Sequence, residues 1–205
     1  LEAINKYIEH QPDDSAAWTQ KGRLEFEMGN LEEALESTKK SVYLFQYSSA
    51  ALNNLGAIYL ELDNPNDAKT CLLRAVEIAP DNNGALMNLA NALAETNDIS
   101  ESAQCIIRCF ELTFAKKELI INARNLIPKY LKHRLFKNVI EIYNFIRKQE
   151  QLTANEVFNL AMCYYETQNF AKAIELFKIV LKQNPSDKET IINLANAYAY
   201  CNDFE

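Results

Sequence analysis

Apolar residues recur along this chain with a helical period, in amphipathic runs broken at regular intervals. The stretch 49–82 shows the pattern best. Leu52, Leu55, Gly56 and Tyr59 fall on one face of a first run. Ala68, Leu72 and Ala75 do the same on a second. Between the runs lies Asp63-Asn64-Pro65. Asn64 suits a helix cap, and Pro65 suits a first helical turn, where its missing N–H is not needed. Pro80 ends the second run and turns the chain toward a third. The pattern predicts two helices and a tight turn in 34 residues.

The same unit recurs when moved by 34. Residues 15–48 supply Trp18, Gly22 and Ala34, with Thr38 and Ser41 at later small or apolar positions. Residues 83–116 supply Leu86, Leu89, Ala90, Leu93, Ser102, Ile106 and Cys109. Three extra residues, 117–119, precede the next match. Residues 120–153 then give Ala123, Leu126, Tyr130, Val139, Tyr143 and Ile146. Residues 154–187 give Val157, Leu160, Ala161, Tyr164, Ala173, Phe177, Val180 and Pro185. Residues 188–205 begin a further unit, and 1–14 match the second helix and closing proline (Pro12) of an earlier one.

A helix–turn–helix unit of 34 residues with these positions resembles the tetratricopeptide repeat. Five full and two partial copies in register carry the resemblance across the whole chain. The resemblance implies an all-α fold, a right-handed α-solenoid forming a single array over 1–205. Each unit in such an array buries its apolar face against its neighbours. Gly22, Gly56, Ala90, Ala161 and Ala195 share one phase, and Ala34, Ala68, Ser102 and Ala173 another. Small residues there let paired helices approach. Asp98 to Glu101, Thr153 to Glu156 and Ser186 to Glu189 read as capping boxes or near variants. The unit 120–153 departs from the pattern. Pro128 lies inside its first helix, and Ile127, Val139 and Ile146 replace small residues, which predicts a kink and a local change of pitch. Both ends cut through a unit, so a fragment of a longer protein is expected.

Composition removes several function classes. The net charge of −7 opposes a nucleic-acid footprint, which needs a clustered basic face. No apolar run approaches bilayer-spanning length. The five cysteines, Cys71, Cys105, Cys109, Cys163 and Cys201, fall on helices and read as small apolar residues. Cys105 and Cys109 are four apart, but no second pair and only His10 and His133 accompany them. No metal site or cofactor is expected. The odd cysteine count and the lack of an Asn-X-Ser/Thr site with X other than Pro fit an intracellular, cytoplasmic protein. Phosphate loops, dinucleotide glycine patterns and nucleophile elbows are missing from the sequence, so an enzyme is not expected in these residues.

One pattern is not explained by packing. The sixth residue of successive units is Gln20, Asn54, Asn88, Asn125, Asn159 and Asn193. Asparagine is a mediocre helix former, less favourable than alanine by up to about 0.7 kcal/mol. Only 22 of 205 residues are asparagine, so five of six in one phase exceeds background. Such a ladder is similar to that in the superhelical repeat domain of O-linked N-acetylglucosamine transferase. The resemblance implies that it grips the backbone of an extended peptide in the concave groove. Each amide offers a donor and an acceptor to match a peptide bond. The alternative is that these amides tie neighbouring helices together. Asn91 and Asn196 lie one turn beyond Asn88 and Asn193. Glu27, Glu61, Glu95 and Glu166 lie two turns beyond the ladder, a series that Lys132 interrupts, and would favour basic or neutral ligands.

Chaperone adaptors of the same family clamp a C-terminal carboxylate with lysines four residues before the ladder. Here those places hold Ala16, Ala50, Gly84, Ile121, Asn155 and Glu189, so that function is not expected, although Arg23 and Arg124 lie near the groove phase. Three readings follow: a module binding a peptide or partner protein, a self-associating scaffold, or the substrate-recruiting part of a larger enzyme such as a glycosyltransferase.

Overall fold

In the computed structural model the described residues are 1–112 and 117–202. The end of the unit 83–116 and the end of the unit 188–205 lie outside them. The described residues form twelve helices and no strand. Contacts divide the chain into two compact units, Leu1–Leu112 and Thr113–Glu205.

The first unit holds α1 (Glu2–His10), α2 (Ser15–Glu27), α3 (Leu31–Leu44), α4 (Ser49–Glu61), α5 (Pro65–Ile78), α6 (Asn83–Glu95) and α7 (Ile99–Leu112). Pairs α2–α3, α4–α5 and α6–α7 are antiparallel neighbours. The second helix of a pair also packs on the first helix of the next, as α3 does on α4 and α5 on α6. First helices touch in turn, α2 on α4 and α4 on α6. This stacking of helix pairs is the α-solenoid arrangement. Its core is built by the residues of the 34-residue register, with Leu52, Ala68, Leu72, Ala75, Leu86, Ala90 and Ile106 all buried. In the pair α2–α3 the register puts hydroxyls in the core. Buried Thr19 and Ser41 lie 2.7 Å apart, and Ser41 Oγ donates to the Ser15 carbonyl at 2.8 Å.

The second unit holds α8 (Lys117–Lys132), α9 (Phe136–Ile146), α10 (Ala154–Glu166), α11 (Phe170–Gln183) and α12 (Lys188–Asn202). Residues 117–119 are the first turn of α8, which runs 16 residues, whereas α10 has 13. Pro128 sits inside α8, and the helix continues through Lys132. Ile127, Val139 and Ile146 are all buried. Of the small residues in the Gly22 phase, Ala195 alone is exposed, because no later described helix covers that face of α12.

Caps set the helix starts. Asn64 accepts from the Asp67 N–H ahead of α5, and Ser48 accepts from Ala51 ahead of α4. The capping box of Thr153 and Glu156 is complete. The other two expected boxes differ. Asp98 turns its carboxylate to Lys69 at 2.6 Å and to the Thr96 hydroxyl at 2.6 Å. Asp187, not Ser186, immediately precedes α12 and accepts from the Thr190 hydroxyl at 2.5 Å.

The turn within each pair is the same device repeated. Gly29, Asp63, Asn97, Arg134 and Gln168 have φ of 81°, 54°, 67°, 59° and 62°. The next N–H reaches back five residues, from Asn64 to the Tyr59 carbonyl at 2.8 Å and from Asn169 to Tyr164 at 2.8 Å. This left-handed C-terminal cap satisfies carbonyls left over at the helix end. Only Gly29 adopts the left-handed region without a Cβ penalty. Gln168→Gly is therefore expected to stabilise the second unit by about 0.5–1 kcal/mol, the removed strain exceeding the added chain entropy. Urea unfolding checks it, and a lowered midpoint would show that entropy dominates.

Candidate functional site

The first helix of each pair carries the asparagine phase, and its residues differ in what they touch. Asn54 and Asn193 are half-buried and Asn125 is exposed. None of these three amides has a partner among the described residues. Asn88 is also half-buried, but its Nδ2 donates to Oδ1 of Asn53 at 3.0 Å, joining α6 to α4. Asn159 is half-buried, and its amide lies close enough to the Tyr143 hydroxyl of α9 to pull on that group's titration. Burial pushes that phenol up to about 12, against the pull of the amide. Exposed Gln20 accepts from Nε and Nη2 of Arg23, both at 3.2 Å. Asn91 is half-buried and Asn196 is exposed.

The glutamate series is less free than its spacing implies. Glu27 pairs with Arg23 on the same helix, and Glu166 accepts from Nη2 of Arg134 at 3.0 Å. Glu95 also has an interaction within the chain. Glu61 is exposed. Arginine charge thus offsets two of the four carboxylates.

Arg124 has a structural task. Its Nε donates to Oε1 of Glu156 at 2.6 Å and its Nη2 to Oε2 at 3.2 Å. It also pairs with Glu150. Burial pushes the Glu156 carboxyl up, but Arg124 and the N–H and hydroxyl of Thr153 outweigh it and hold the group below the usual carboxylate range.

The cysteines behave as apolar residues. Burial pushes the thiols of Cys109 and Cys163 up to about 12 and that of Cys105 to about 11. A thiol held protonated is a poor nucleophile and a poor metal ligand.

One surface is missed when the sequence alone is read. Tyr43, Phe45 and Tyr47, at the end of α3 and in the connection to α4, are 83%, 51% and 63% exposed. The register contains a signal that points to them. The place of Tyr43 is taken by Glu77, Glu111, Lys148 and Lys182 in the other units.

Comparison with known proteins gives the class. The tetratricopeptide repeat pattern matches residues 3–36, 49–82 and 154–187. The second and third matches span the pairs α4–α5 and α10–α11. No curated protein sequence matches the chain. Solved structures share its fold. YrrB, described as a TPR protein with an unusual peptide-binding site, superposes with a TM-score of 0.67 at 18% identity, over 92% of this chain and 96% of that one. MamA gives 0.64 at 17% identity, over 85% and 94%. The first TPR of Spaghetti (RPAP3), bound to an HSP90 peptide, gives 0.53 at 19% identity, over 57% and 93%. The chain belongs to the tetratricopeptide repeat family.

Proposed function

We propose that this chain is a protein-interaction module that holds an extended peptide or a partner protein along the first helices of its repeats. The asparagine phase makes the contact through Asn54 and Asn88 in the first unit and Asn125, Asn159 and Asn193 in the second. The observation that carries this reading is the state of Asn54 and Asn193. Both are half-buried amides on a helix face, and neither bonds to another described residue. Such a group is poorly placed for packing and well placed to exchange water for a peptide N–H and C=O. Two structurally similar proteins are described by their peptide-binding site or bound peptide.

The bond of Asn88 to Asn53, and the closeness of the Asn159 amide to the Tyr143 hydroxyl, favour a second role at those two positions, against the adjacent helix. The two roles separate by mutation. Asn54→Ala in the first unit, and Asn125→Ala with Asn193→Ala in the second, are expected to leave melting unchanged and to weaken peptide binding at their own unit at least about twofold and fivefold, at about 0.5–1.5 kcal/mol per amide, and the triple variant combines the two. Asn159→Ala is expected to lower stability by about 1 kcal/mol instead. The measurement is fluorescence anisotropy on fluorescein-labelled decapeptides of varied sequence, beside thermal melts. Backbone contacts predict similar affinity across uncharged sequences. Undiminished binding in the folded triple variant would remove the proposal.

A further inference from the structure

We propose a second binding surface on the first unit, where Tyr43, Phe45 and Tyr47 with Lys39 and Arg74 form a dock for an acidic peptide segment carrying an apolar or aromatic side chain. The groove lies between the end of α3, the connection to α4, and α5. Its lining holds two cations, Lys39 and Arg74, and no carboxylate, in a chain with 28 acidic and 21 basic residues. Neither cation has an ion pair among the described residues.

The aromatic residues have little folding role. Tyr43 is 83% exposed, and the rings of Phe45 and Tyr47 meet edge to face at 6.2 Å between centroids. Other units place Glu77, Glu111, Lys148 and Lys182 where this one has Tyr43, and Ala79 and Asn184 where it has Phe45. The register therefore does not demand aromatic residues there. The connection is held in place, since Arg74 Nη2 donates to the Gln46 carbonyl at 3.2 Å. Lys39 is held over the Tyr59 ring at 5.7 Å, and Lys40, beside the groove rather than lining it, lies over the Tyr43 ring at 5.4 Å. Clustered, pre-positioned aromatics with arginine match the composition of interface anchors.

Charge selects the partner. A carboxylate-bearing segment meets the two cations, while its apolar side chain covers the rings. A nucleic acid also stacks on aromatics, but two cations on a chain of −7 give a polyanion too short a track.

The test uses a fluorescein-labelled decapeptide of glutamates around a central tryptophan, with a lysine-for-glutamate peptide and a labelled oligothymidylate as controls. In the Asn54→Ala, Asn125→Ala, Asn193→Ala background, which weakens the other peptide site, anisotropy is expected to report binding of the acidic peptide and not of the lysine peptide or the oligothymidylate, weakening as salt rises from about 50 to 500 mM. Phe45→Ser with Tyr43→Ser, and separately Arg74→Glu, should each cut affinity at least about tenfold. Should Phe45→Ser disturb melting, Tyr43→Ser alone decides, because that side chain is 83% exposed. The Asn54→Ala, Asn125→Ala, Asn193→Ala variant should bind the acidic peptide like the wild type, which separates this surface from the asparagine phase. Equal binding of the lysine peptide in that asparagine variant, preference for the oligothymidylate, or undiminished affinity in the folded aromatic variants would overturn it. So would a wild-type dimer that Tyr43→Ser converts to monomer in sedimentation, which would assign the rings to a second copy.

Discussion

Gly56→Ala is expected to destabilise the first unit by about 1–3 kcal/mol, although alanine is the better helix former by about 1 kcal/mol. A Cβ on Gly56 would lie 2.7 Å from Cδ2 and 2.9 Å from Cδ1 of Leu72, with Cγ closer still. Leu72 cannot swing away, because it is fully buried with Ala68, Leu89 and Leu93 around it. Either the pair α4–α5 separates or the leucine leaves its rotamer, and both weaken the core. Leu72→Ala alone should cost about 2–5 kcal/mol through the cavity it leaves. In that background the new methyl at 56 has room, so Gly56→Ala should cost nothing or stabilise. The double variant is then less damaged than the sum of the singles by about 1–3 kcal/mol. Four proteins suffice: wild type, two singles and the double, compared by urea unfolding and by amide hydrogen exchange in α4 and α5. Additive losses would show that the close approach at Gly56 is not the constraint.

That pair illustrates what is legible in the sequence. Gly56 and Leu72 are 16 residues apart, and the 34-residue period by itself assigns one to each helix of a unit. Burial follows the same logic, since apolar residues at helical spacing have only the neighbouring helix to cover them. The period does not specify bonds made by long or polar side chains. It places Asn88 on a first helix, but the bond to Asn53 depends on which amide of the preceding helix it meets. It places Glu27 and Glu166 in an acidic series, but not the arginines that offset them. Arg134 and Gln168 carry no sign of a left-handed turn, because neither has the propensity of Gly29 or Asn97. Their backbone is fixed by the bond that closes the helix end, a tertiary-like demand that overrides residue preference. The rings of Tyr43, Phe45 and Tyr47 are hidden for the opposite reason. Aromatic residues near a helix end suggest core, and their exposure follows only from the packing around them.

Arg124→Met is expected to cost the second unit about 2–4 kcal/mol at neutral pH. The guanidinium is the main counter-charge to Glu156, whose side chain is 12% exposed. Without it the carboxylate keeps the N–H of Thr153 at 2.8 Å and its hydroxyl at 3.0 Å, but no positive charge. Lysine should not restore the loss, since an ammonium cannot make the two-pronged contact. The pH dependence identifies the cause. In the wild type the Glu156 carboxyl is held below its unfolded value of about 4.3, so its contribution is complete above that pH and disappears as pH falls through the folded value. In the variant the downward pull of Arg124 is gone and burial acts against the Thr153 bonds alone, so the group moves up toward or past its unfolded value. Acid then removes more stability from the wild type than from the variant. The two stabilities should converge as pH is lowered from about 7 to below 4. Glu156→Gln added to Arg124→Met should recover much of the loss at neutral pH, because a neutral amide needs no counter-charge. A gap that stays constant with pH would assign the cost to the packed methylenes of Arg124. Asn125 follows Arg124 in α8, and Asn159 lies one turn after Glu156 in α10. Peptide binding through those two amides should therefore fall with the ion pair and return with Glu156→Gln.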